Sequence, residues 1–202
     1  MRKYLLHVLI ISFVLFLTPT IRAASDDYKN YEPLRIYNDA VYGFKFQFPS
    51  DWKVVSEKVP TGTGEIRVGL ISPIGATCAA TIVRLDWSAK REDLLNLKDE
   101  DRQGFLAGLL YGIIESVYAD SGEQKRIISK EASVQDTCLM AKIEAVKSIT
   151  TKRGKLQIVS AGRHCVPFGK KVIINFVVNY PKGIGDENEY IHVLKSFELG
   201  SN

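Results

Sequence analysis

From Gly43 the chain falls into an alternating rhythm: Phe44, Phe46 and Phe48 are separated by Lys45 and Gln47. A period of two puts the three rings on one face of a strand, and Pro49 ends it. Trp52, Val54 and Val55 resume the apolar pattern, and the Thr61–Gly64 loop leads to Ile66, Val68 and Leu70. Pro73–Ala76 then turns the chain into Ala79–Trp87, which predicts a hairpin. Beyond Leu94 the period changes. Phe105, Leu106, Leu109, Leu110, Ile113, Ile114 and Val117 recur at spacings of three and four, behind Asp99, Glu100 and Asp101. The spacing predicts a helix of about four turns, its acids matched to the N-terminal dipole, with a stop at Asp120–Gly122.

A period of two returns in four later segments, Arg126–Val134, Cys138–Ile149, Lys155–Cys165 and Val172–Tyr180. Their links, Gln135–Asp136, Thr150–Gly154 and Pro167–Lys170, are shorter than the dozen or so residues that a parallel crossover needs. An antiparallel meander follows. Asp186 then caps Tyr190, Ile191, Leu194 and Phe197 at helical spacing, which predicts a short last helix.

The N-terminus carries an address. Arg2 and Lys3 precede an apolar run from Tyr4 to Leu17, and small residues Ala23 and Ala24 follow. Residues 1–24 therefore read as a secretory signal, and the run is too short for the 20 or so apolar residues of a permanent anchor. Residues 25–40 read as a polar lead-in arm and 41–202 as a single domain. The expected location is the periplasm or the outside of the cell, without a stable membrane anchor after cleavage. Loss of Arg2, Lys3 and Arg22 with the leader lowers the formal charge from +4 to +1. That balance removes the usual footprint of nucleic-acid binding, and 46% apolar residues exclude disorder.

Reactive chemistry is sparse. Of the histidines, His164 and His192 survive removal of the leader, and neither has a partner at helical metal-ligand spacing. The reading is no metal, no cofactor and no catalytic residue. His164 and Cys165 are neighbours on a strand, so they point to opposite faces and cannot form an activated thiol pair. The acids Glu92, Asp93, Asp99, Glu100 and Asp101 lack the spacing of a calcium loop. Lys152-Arg153 and Lys170-Lys171 occupy neighbouring meander turns and could make one basic patch, against the plainer reading of solubility. In an exported chain the cysteines gain weight. A turn at Lys152–Gly154 puts Cys138 opposite Cys165, on the face away from Leu139, Ala141, Ile143 and Ala145. The expectation is a Cys138–Cys165 disulfide, with Cys78 left as a small buried hydrophobe.

The segment Tyr42–Glu57, YGFKFQFPSDWKVVSE, resembles the opening motif of the PsbP and Mog1 fold group, and Asn188–Phe197, NEYIHVLKSF, resembles its final helix. The order of elements between them follows the same group over residues 40 to 199. The resemblance implies an α+β fold, an antiparallel β-sheet with helices on both sides in an α/β/α sandwich. Members of the group include photosystem accessory subunits, a nuclear-transport regulator and envelope proteins of the DcrB kind, most of them binders or assembly factors. The resulting expectation is an exported, non-catalytic binding or assembly factor of the bacterial cell envelope with an envelope protein as partner. The alternatives are a periplasmic small-ligand carrier, favoured if an apolar pocket opens beneath the Phe105–Val117 helix, and an enzyme of unknown class.

Overall fold

The four late alternating segments form one continuous ribbon: β6 (Arg126–Val134), β7 (Cys138–Thr151), β8 (Gly154–Pro167) and β9 (Val172–Pro181), each antiparallel to the next. The last of these pairs with β5 (Thr77–Arg84), which continues through β4 (Gly64–Ile71) to β3 (Lys53–Pro60). The result is a seven-stranded antiparallel sheet in the order β3-β4-β5-β9-β8-β7-β6. A second, three-stranded sheet joins β1 (Leu34–Asp39), β2 (Phe44–Pro49) and β10 (Glu198–Leu199). The computed structural model describes residues 33–118, 125–152 and 154–200. The signal at 1–24 and the helix stop at Asp120–Gly122 lie outside them.

Helices supply the outer layers. Before β6 run α1 (Arg91–Leu95) and α2 (Asp99–Ile113), the latter continued by a π-helical turn, Ile114–Tyr118. After β9 comes α3 (Glu187–Lys195), where the Asp186 carboxylate accepts from the Asn188 N–H at 2.9 Å as the capping residue. Period two sorts the sheet residues between two cores. On one face Phe44, Phe46 and Phe48 meet Phe176, Tyr190, Val193 and Phe197. Phe46 and Phe197 lie 4.6 and 4.8 Å from the Phe176 ring, and each such buried ring contributes on the order of 2 kcal/mol. On the other face Leu106 and Ile113 of α2 share a cluster with Leu139, Ala141, Ile143 and Ala145. The fold is thus the expected α+β arrangement. Its two signature segments hold each other: the Trp52 indole donates to Glu189 at 3.0 Å, and the Gln47 N–H donates to Ser196 Oγ at 2.9 Å.

Three expectations need correction. The lead-in arm of residues 25–40 contains β1, because Asp39 is not a solvated turn residue. It is 2% exposed, accepts from the Val41 and Tyr42 N–H groups, and pairs with Arg67 at 2.6 Å. The meander register also differs. Thr151 pairs with Gly154, so Cys138 falls opposite Pro167, two residues beyond Cys165, and Cys165 falls opposite Met140. The cysteines share a face but sit diagonally. Finally, successive turns of a meander alternate ends. Lys152 and the Lys170-Lys171 pair stand at opposite ends of β8, whose 14 residues span roughly 45 Å, so no single basic patch forms.

Candidate ligand pocket beneath the helical layer

The small side chains of β5 and β9 decide where the second core ends. On the α2 side these strands present Ala79, Thr81, Asn175, Val177 and Asn179, while Leu106 and Ile113 of α2 cluster with β7 around Leu139 and Ile143. Over the small residues the layers do not close. A cavity of about 690 Å³ opens there, bounded by α2 above and by β5, β9 and β8 below. Gly108 and Gly112, one turn apart, form part of its roof, and a Cβ at either would meet nothing within 4 Å. Each glycine costs the helix up to about 1 kcal/mol relative to alanine. At one end Trp87 and Phe105 meet edge-on at 6.0 Å, both 37% exposed, and form an aromatic rim.

Towards the other end the cavity reaches a buried polar chain. The Asn175 side-chain oxygen Oδ1 accepts from His164 Nδ1 at 2.9 Å, which leaves Nε2 to accept from the Tyr118 hydroxyl at 3.0 Å. Burial lowers the His164 pKa to about 4, against a smaller opposing effect of the Asn175 hydrogen bond, and burial pushes the Tyr118 hydroxyl up. Neutral and fully bonded, His164 is not a base poised near neutrality. Gly162 makes the chain possible, since a Cβ there would collide with the Tyr118 hydroxyl and His164 Nε2. Alongside, Ser160 donates to Asn179 at 2.7 Å, and Asn179 donates to Thr77 at 3.3 Å. These polar groups satisfy one another and fix the floor of the cavity.

The residues singled out from the sequence lie elsewhere. Cys138 and Cys165 are buried in the aromatic core, as free thiols in contact with each other, and Cys165 also contacts the Met140 sulfur at 3.5 Å. Contact with Cys138, then burial, raises the Cys165 pKa, and burial alone raises that of Cys78. His164 and Cys165 face opposite layers. Among the described residues no three His, Cys, Asp or Glu groups stand close enough to hold a metal. Sequence reasoning singled out the helix above the cavity but missed Gly108, Gly112, Trp87 and Asn175. Its one visible signal was the recurrence of Gly104, Gly108 and Gly112 every four residues in an otherwise apolar helix.

No family model matches the sequence, and no curated protein matches it. Solved structures do. The solution structure of the cyanobacterial PsbP of Synechocystis sp. PCC 6803 aligns with a TM-score of 0.53 at 16% identity, covering 88% of this chain and 99% of that one. LpqN, involved in cell envelope biogenesis of Mycobacterium tuberculosis, aligns with a TM-score of 0.45 at 10% identity over 85% of this chain and 93% of its own. The Ran-binding protein Mog1p of Saccharomyces cerevisiae gives 0.45 at 9% identity, over 83% and 96%.

Proposed function

We propose that this chain, whose architecture is that of the PsbP/Mog1-like fold group, is an exported, non-catalytic protein that carries a small apolar ligand beneath α2. The cavity carries the reading. Its volume, about 690 Å³, lies within the range of small-molecule sites, and its walls are mainly aliphatic and aromatic. No Asp, Glu, His or Cys is among the residues that line it, and its Ser160 and Tyr118 hydroxyls are engaged with Asn179 and the neutral His164, which supports binding. The envelope-assembly role rests on the family resemblance; the open layer moves the weight to a carrier. Among the described residues no helix is long and apolar enough to cross a membrane.

The test is a titration with N-phenyl-1-naphthylamine, an uncharged probe that fluoresces in apolar surroundings. Saturable binding is expected for the native protein. Gly108→Leu, which places a side chain in open space, should abolish that binding and leave the circular dichroism spectrum unchanged. Equal binding by both proteins would overturn the reading.

A further inference from the structure

The oxygens and hydroxyls that tie the cavity floor together leave one buried donor over. Asn175 is 5% exposed and spends its Oδ1 on His164, while its Nδ2 amide group donates to no atom among the described residues. The residue lines the cavity, so this amide is a donor held against the open space beneath α2. Thr81 stands opposite it across the β5–β9 pair and lines the cavity too, and its hydroxyl forms no hydrogen bond among the described residues. Leaving a buried donor unpaired costs more than its hydrogen bond gains, so a donor kept in this position suits an acceptor that arrives with a ligand.

The surroundings of the pair limit what that ligand is. Val83 and Ile173 lie one row towards Leu85 and Trp87, and Ala79 and Val177 one row the other way, each about 7 Å along the strands. The polar pair therefore interrupts an apolar wall, and the acceptor belongs inside the ligand and not at its end. Two cations are among the lining residues. The Arg84 side chain points to the opposite face of β5, with Cys78, Ala80 and Ile82, and the Lys125 ammonium is engaged on the Tyr118 ring, 5.8 Å from its centre. His164, the partner of Asn175, is neutral. A carboxylate set against that amide would lose its hydration and gain no counter-charge there. We infer that the pocket takes an uncharged molecule with a carbonyl oxygen inside an apolar frame, a ketone or an ester, and that Asn175 Nδ2 donates to that oxygen beside the Thr81 hydroxyl. The inference rests on the carrier reading and adds the ligand's polarity and its point of attachment.

Three molecules of thirteen carbons test it on the purified protein: 7-tridecanone, hexyl heptanoate and tridecanoate. The ketone and the ester should displace N-phenyl-1-naphthylamine at concentrations about fivefold or more below tridecanoate, as one hydrogen bond implies, and the stronger of the two identifies the class. In the native protein labelled with nitrogen-15, the side-chain amide resonances of Asn175, assigned by their loss in Asn175→Asp, should move downfield as the ketone or the ester saturates. Asn175→Leu should remove the preference over tridecanoate; where that variant does not fold or take up the probe, the native resonances decide. Asn175 amide resonances unmoved by both saturating ligands, or a preference that survives Asn175→Leu, would overturn the inference and leave the carrier reading standing. Displacement by tridecanoate at equal or lower concentration would put an anionic head at Lys125 and overturns it too. A probe that does not bind the native protein at all would defeat the carrier reading itself.

Discussion

Burial holds His164 neutral, and this has a signature in solution. Its pKa is about 4 in the native protein and near 6.5 when unfolded, so between these values the unfolded chain binds a proton that the native one refuses. The contribution to stability is complete above pH 6.5 and is lost as pH falls through 4, a change of about 3 kcal/mol. Urea unfolding at pH 7.5 and pH 4.5 measures it, and His164→Gln should flatten the slope over that window. Glu189, raised by burial, acts with the opposite sign in both proteins and cancels in the difference. Gly162→Ala tests the same chain sterically: the Cβ displaces Tyr118 or His164, and a loss of about 1–3 kcal/mol is expected in the same unfolding experiment. We also propose that the touching thiols of Cys138 and Cys165 join when the protein is exported into an oxidising compartment. Peptide mapping without reductant should recover the 138–165 crosslink with Cys78 unlinked; three alkylated cysteines would contradict it.

Elements that alternate over a long stretch were the most legible. The segments assigned to β6 through β9 coincide with the observed strands to within a few residues, and Asp186 caps α3 as expected. What failed depended on partners far away in the chain. β1 was missed because Asn38 and Asp39 read as a turn, while Asp39 is buried by Arg67, 28 residues on. The Cys138–Cys165 register slipped by two residues, because the position of the turn sets every later pair and spacing alone does not fix it; the even shift kept both cysteines on one face. The cavity was legible only as a condition on one helix, since its floor exists once Ala79 and Thr81 stand beside Val177 and Asn175. Two expectations belong at this level. Asp39→Ala leaves the Arg67 guanidinium buried with only Glu65, at 3.0 Å, and should cost about 3–5 kcal/mol by urea unfolding, loosening the β1–β2 sheet. Gly108→Ala, with open space for its methyl group, should raise stability by about 0.5–1 kcal/mol in thermal unfolding.

At the scale of the molecule the two faces of the large sheet have been put to different uses. One is closed by stacked aromatic rings from β2, β9, α3 and the residues beyond it, which accounts for the signature segments being structural. The other carries α2 over the small side chains of β5 and β9 and stays open. If that opening is the working part of the protein, a ligand should mark it and spare the closed face. Amide chemical shifts recorded during titration with N-phenyl-1-naphthylamine test this directly. The account predicts shifts concentrated at Gly108, Gly112, Thr81 and Val177, with Phe44, Phe46, Val193 and Phe197 unmoved. Shifts confined to the aromatic face, or none at saturating N-phenyl-1-naphthylamine, would contradict it.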